Sequence, residues 1–150
     1  MITDTVVSSI NKNEYSQVIE VWEASVRATH HFLTEEDIVY YKPLILNSYL
    51  DMVTLHSCRN SKNKIVGFMG TASGNLEMLF IHPKYIGQGI GKKLLQYAIV
   101  NLQVKKVDVN EDNQQAVDFY LHCGFKVVDR SELDGAGKAY PILHMELQKQ

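Results

Sequence analysis

A chain of 150 residues, 45% of them apolar, can bury the core of one globular domain. Its net charge of −2 and pI near 6.3 exclude a general attraction to nucleic acid or to anionic membrane surfaces. No apolar run reaches the roughly 20 residues that a bilayer span needs, and the polar opening MITDTVV lacks the pattern of a signal peptide, so the expected location is the cytoplasm.

Thr5 to Ile10 reads as a short first strand. Val18, Ile19, Trp22 and Val26 then recur at helical spacing and predict a helix over 13–28. Thr34, followed by Glu35, Glu36 and Asp37, offers a hydroxyl cap and acidic residues for the positive end of a second helix. That helix runs towards Tyr49, with Pro43 expected to kink or divide it. Met52 to Cys58 and Lys64 to Thr71 read as a hairpin, and a turn at Ser73 and Gly74 leads into a strand ending at Ile81.

His82 and Pro83 pass this strand into Gly87, Gly89 and Gly91, after which Ile90, Leu94, Leu95, Ala98, Ile99 and Leu102 form a helical stripe. A glycine loop at a helix start can present several backbone N–H groups to an anion, because no Cβ blocks the approach and the first-turn donors are unpaired. The inferred ligand is a pyrophosphate, with Lys92 and Lys93 adding charge; a tight turn with purely steric glycines is the other reading. A Walker A loop is excluded by the spacing and by Lys93 at its hydroxyl position, and the dinucleotide fingerprint fails because the third glycine comes one residue early.

Lys105 to Val109 reads as the next strand, and Asn110 or Asn113 as the cap of a helix whose stripe is Ala116, Phe119 or Tyr120, and Cys123. Gly124 closes that helix, Phe125 to Val128 starts another strand, Asp134 to Gly137 turns, and Ile142 to Leu147 is the last strand. The order implies a mixed α/β (α+β) domain, 1–150, on a largely antiparallel sheet. Cys58 and Cys123 have no ligand-spaced neighbour and read as free thiols, and no histidine pair has metal-ligand spacing.

Two segments, IHPKYIGQGIGKKLL and NQQAVDFYLHCGF, resemble the GNAT superfamily of acyl-CoA-dependent N-acetyltransferases. The family's glycine segment is matched by Gly89 and Gly91, with Pro83 and Tyr85 ahead of them; Ile86 departs from its usual Arg or Gln. Its later segment is matched by Asn113, Ala116, Phe119, Tyr120, Gly124 and Phe125. The resemblance implies acetyl-CoA as co-substrate, its pyrophosphate on Ile86, Gly87, Gln88, Gly89, Ile90, Gly91 and Lys92. The pantetheine arm would run between two splayed central strands, Leu76 to Ile81 and Lys105 to Val109, beside Met78, Leu79, Phe80 and Ile81. Asn113, Ala116, Phe119 and Tyr120 would complete the cofactor site.

The implied reaction is direct attack of a small-molecule or peptide amine on the thioester. Backbone N–H groups near Met78 and Leu79 would stabilise the developing oxyanion. The resemblance implies Tyr120 as the acid for the departing thiolate; the residues alone read it as a helix tyrosine packed on the sheet with its hydroxyl satisfied. Glu77, a carboxylate in an apolar strand, is the candidate base, directly or through water, or else a solvent-facing residue. His30 or His31, at the junction of the first two helices, is a candidate for the acceptor pocket, the alternative being a surface or capping residue. Tyr140, after a flexible turn, is placed to close over substrate. Monomer and homodimer both stay open, and a non-catalytic acyl-CoA-binding domain of the same fold is the alternative function.

Overall fold

The computed structural model describes residues 6–148. Its elements are β1 (Ser8–Ser9), α1 (Tyr15–Thr29), α2 (Glu35–Asn47), β2 (Thr54–Arg59), β3 (Ile65–Ala72), β4 (Asn75–Ile81), α3 (Ile90–Asn101), β5 (Lys106–Asn110), α4 (Gln114–His122), β6 (Phe125–Ser131) and β7 (Ile142–Leu147). The strands form one seven-stranded sheet in the order β1-β2-β3-β4-β5-β7-β6. Every neighbouring pair is antiparallel except β4 and β5. This is the mixed, largely antiparallel sheet flanked by helices that the sequence implies.

Each face of the sheet carries its own apolar cluster. Val18, Ile19, Trp22 and Val26 of α1 and Ile38 and Ile45 of α2 pack on Leu55, Ile65 and Phe68. Leu94, Leu95 and Ala98 of α3 and Val117 and Tyr120 of α4 pack on the other face, against Met69, Leu76, Val107, Val109 and Met145.

The splay expected in the middle of the sheet is present. The parallel pairing of β4 with β5 consists of Asn75 with Lys106 and Leu76 with Val107, and then stops. Beyond it β5 stays paired with β7 as far as Asn110, so the edge of β4 from Glu77 onward faces a groove instead of a strand. A β-bulge sits at the same point. Gly70 pairs with Met78 and Thr71 with Leu76, which leaves Glu77 as the extra residue. The bulge resets the alternation, so that Leu76 joins the cluster under α3 and α4 while Met78 and Phe80 join the one under α1 and α2.

Several sequence expectations need correction. The first strand is only Ser8–Ser9, and Thr5 lies outside the described residues. α2 runs unbroken through Pro43. Proline removes one donor, the partner of the Val39 carbonyl, and both residues are exposed, so water can serve the carbonyl. β6 extends three residues past Val128, because an edge strand with exposed Asp129 and Arg130 needs no apolar alternation to pair with β7. In α4 the buried face is Val117 and Tyr120; Ala116, Phe119 and Cys123 are only partly buried, because that flank of a nine-residue helix looks along the groove or the helix end.

Candidate active site

Helices α2, α3 and α4 begin differently. Thr34 caps α2 in a capping box with Asp37, and Asn113 caps α4 by accepting the Ala116 N–H at 3.2 Å, which settles the choice between Asn110 and Asn113. α3 has no side-chain cap. Its first intrahelical bond runs from Lys93 N–H to the Gly89 carbonyl, so the N–H groups of the preceding turn point outward at the positive end of the helix. Gly87 and Gly89 have φ of 86° and 79°, and a Cβ at either would meet nothing within 4 Å. Their glycines are therefore required by backbone conformation and leave open space above the donors, the geometry of an anion cradle. Lys92 lines it, and Ile86, 45% exposed, stands at its rim.

From this cradle the groove continues along the free edge of β4 past Leu79, Phe80 and Ile81. Its opposite wall is Asn113, Ala116, Phe119 and Tyr120 of the α4 segment. Gly87, Gly89, Ile90 and Gly91 of the loop also line the groove; Met78 and Gln88 do not. Met78 points into the α1/α2 cluster because of the bulge, and Gln88 is exposed between the two left-handed glycines.

Tyr120 lies deep in this wall, 5% exposed, edge-on to Phe119 and Phe125 at ring distances of 5.2 and 5.8 Å. Burial pushes its phenol well above the usual range. Among the described residues the only sealed, unpaired side-chain atom is His56 Nδ1, and the Tyr120 hydroxyl has no protein partner, so the hydroxyl opens on the groove. The plain packing role is real for its ring, but it leaves the oxygen unaccounted for.

His30, just past the end of α1, is part of the same wall. Thr29 Oγ1 donates to the Ser25 carbonyl at 2.8 Å, so its contact of 2.8 Å with His30 Nδ1 makes Nδ1 the donor. Nε2 is then the acceptor, 3.4 Å from the Asn113 amide nitrogen, whose Oδ1 is already used in capping α4. Burial first, and the charge of His31 second, lower the His30 pKa to about 4, so the ring is neutral near neutral pH. His31, beyond the end of α1, is exposed and lines none of the described cavities.

Glu77 and Tyr140 also stand away from the groove. Glu77 is exposed, accepts from Asn75 Nδ2 at 2.9 Å, and lines a second cavity with Tyr41, Tyr49, Met78 and Asp134. Tyr140 donates to the Asp37 carboxylate, and its ring lies 5.8 Å from that of Phe32. With the Tyr41–Asp134 hydrogen bond and the Lys138–Asp37 ion pair at 3.2 Å, it straps the segment between β6 and β7 onto α2. It is thus a fastening of that segment, its hydroxyl committed to Asp37.

Ser25, Thr29 and Gln115 line the groove without having been anticipated. Another unanticipated cluster is Asp108, His144 and Ser131, joined by contacts of 2.6 Å on either side of the imidazole. Its signal in the sequence is a polar residue at the outward position of an apolar strand, Asp108 between two valines and His144 between Leu143 and Met145.

A family model described as an acetyltransferase (GNAT) domain matches residues 46–149. The chain belongs to the GNAT acetyltransferases. It is 38% identical over 132 residues to the peptidyl-lysine N-acetyltransferase YjaB of Escherichia coli, covering 88% of this chain and 89% of that one. A second E. coli protein, the peptidyl-lysine N-acetyltransferase YiaC, is 28% identical over 134 residues, 82% of this chain and 84% of that one. The solution structure of apo YjaB from E. coli superposes with a TM-score of 0.89 at 33% identity, covering 99% of this chain and all of the other. The PaiA N-acetyltransferase of Thermoplasma acidophilum, solved with coenzyme A, shares the fold at a TM-score of 0.71 and 21% identity, over 96% and 99% of the two chains. Among the described residues no helix is long and apolar enough to cross a membrane.

Proposed function

We propose that this GNAT acetyltransferase moves the acetyl group of acetyl-CoA to a primary amine by direct attack within a ternary complex, and that the amine is a lysine side chain of a peptide or protein. The observation that carries the reading is the unpaired Tyr120 hydroxyl opening on a groove that begins at the uncapped start of α3. The acceptor class rests on the relatives YjaB and YiaC, both peptidyl-lysine N-acetyltransferases.

In this reading the pyrophosphate lies on the N–H groups at the start of α3 with Lys92 beside it. The pantetheine arm follows the free edge of β4, and N–H groups near Met78 and Leu79 face the thioester oxygen. The amine nitrogen forms the C–N bond, the C–S bond breaks onto sulfur, and Tyr120 protonates the thiolate. The raised phenol pKa keeps that proton on Tyr120 until it is needed. The same apolar wall penalises a free thiolate, which offsets the weaker acidity of the phenol. Glu77, beside the parting of β4 and β5, is the candidate base through water, and its exposure leaves room for that water. His30 acts as a neutral wall residue that orients Asn113.

Titration calorimetry with acetyl-CoA, with NAD and ATP as controls, followed by thiol release in the presence of a lysine peptide, tests the reading. Selective acetyl-CoA binding with peptide-dependent thiol release is expected. Binding without release across a panel of amines would favour a non-catalytic acyl-CoA-binding domain.

A further inference from the structure

A further cavity of about 510 Å³ lies between α1, the turn joining β2 to β3 and the short turn Pro83–Tyr85 that follows β4. Lys62, Lys64 and Lys84 stand around it, and Glu20 is the one carboxylate lining it among the described residues. All three lysines are exposed, and none has an ion-pair or hydrogen-bond partner for its ammonium group among those residues. Elsewhere on the surface Lys12, Lys42, Lys106 and Lys138 each meet a carboxylate.

The polar side chains between these lysines already have their acceptors occupied. Gln17 Oε1 accepts the Ile65 N–H at 3.2 Å, and Asn60 Oδ1 accepts those of Lys62 and Lys64 at 2.9 and 3.0 Å. His82 Nδ1 accepts the Lys84 N–H at 3.1 Å, and the Tyr85 oxygen accepts the Asn60 amide at 3.3 Å. Backbone donors therefore fix the orientation of both amides and the tautomer of the neutral imidazole. What remains is a set of donors: the Gln17 amide, the His82 Nε2 proton, the Tyr85 hydroxyl proton and three ammonium groups.

Such a lining selects its ligand. A neutral ligand would leave the three positive charges facing one another, whereas an oxyanion supplies acceptors and countercharge together. Lysine presents its charge as a point on a flexible stem, which suits a phosphoryl group approached from several sides better than a planar carboxylate held by a fork.

We propose that this cavity binds a phosphoryl oxyanion of two or more negative charges, at a site separate from the pyrophosphate cradle at the start of α3. Lys62 and Lys64 come from the β2–β3 turn and Lys84 from the turn after β4, so the bound anion bridges the two. Tyr85 lines both this cavity and the groove, and the chain passes from it directly to Ile86 and Gly87. Two sources offer this chemistry: a free oxyanion, or the phosphate that coenzyme A carries on its ribose.

Calorimetric titration of inorganic pyrophosphate into the whole protein tests the site, with the protein alone and saturated with coenzyme A or with dephospho-coenzyme A, which lacks the ribose phosphate. Binding is expected to persist beside dephospho-coenzyme A, which fills the cradle. Persistence beside coenzyme A as well identifies a free oxyanion as the occupant, and loss beside coenzyme A alone identifies its ribose phosphate. Lys62→Gln combined with Lys64→Gln should weaken pyrophosphate binding at least about tenfold. Lys126→Gln, which removes a charge from exposed β6, should change it by less than about twofold. Glu20→Gln removes the opposing carboxylate and should tighten binding about threefold, which keeps the test open if the lysine pair fails to fold. Pyrophosphate that does not bind, that is displaced by dephospho-coenzyme A, or that binds equally to wild type and to both cavity variants would overturn the proposal.

Discussion

Asn113 ties the start of α4 to the end of α1 within one wall of the groove. Its Oδ1 accepts the Ala116 N–H at 3.2 Å, and its amide nitrogen lies 3.4 Å from His30 Nε2. The cap of α4 and the end of α1 are thereby fixed to each other. Asn113→Ala is expected to cost about 1 kcal/mol of stability through the lost cap. Because it also frees the start of the helix that carries Tyr120, kcat should fall further than stability alone explains, in denaturant melts and steady-state kinetics compared side by side.

Tyr120→Phe removes one oxygen and leaves the packing of the ring against Phe119 and Phe125. The expected loss in kcat is about a hundredfold, with acetyl-CoA affinity unchanged. A full rate when chemistry limits turnover would remove the acid role.

Gly89→Ala places a Cβ on a residue at φ 79°. The left-handed backbone costs an L residue about 1–2 kcal/mol, and relief of that strain would turn the α3 donors away from the cradle. Calorimetry should show acetyl-CoA binding at least about tenfold weaker. The converse change, Ile86→Arg, puts a cation at an exposed rim position and should tighten binding about threefold, with the gain fading in high salt.

Asp37 governs the acid limit of stability. Burial raises its pKa, but hydrogen bonds from Tyr140, Thr34 and Lys138 outweigh this and lower it from 3.8 to about 2. A depressed carboxyl contributes stability above its unfolded pKa and loses it as pH falls towards the folded value. The contribution, about 2 kcal/mol, is present at pH 7 and disappears between about pH 4 and 2. Asp37→Asn should be less stable than wild type at pH 7 and should flatten that acid limb in urea titrations. It should also loosen the strapped segment, seen as faster amide exchange at 134–140.

Much of this was legible in the sequence because its signals are local. The cap at Thr34, the glycines before Ile90 and the Asn113–Tyr120 spacing each lie within one or two helical turns. The position of Glu77 was not legible, since a bulge is defined by the partner strand and shifts the face of every residue after it. Nor was the row of Asp108, His144 and Ser131, whose members are 36 and 13 residues apart and meet only through the order β5-β7-β6. Nor was the fastening of Tyr140, whose hydroxyl meets Asp37 from 103 residues away in the sequence.

Mass spectrometry of a lysine peptide incubated with acetyl-CoA and the purified protein tests the central claim most directly. Wild type should add one acetyl group to the lysine side chain, and Tyr120→Phe should add it far more slowly at equal acetyl-CoA occupancy. An unmodified peptide, with calorimetry showing acetyl-CoA bound to the wild type, would contradict the claim.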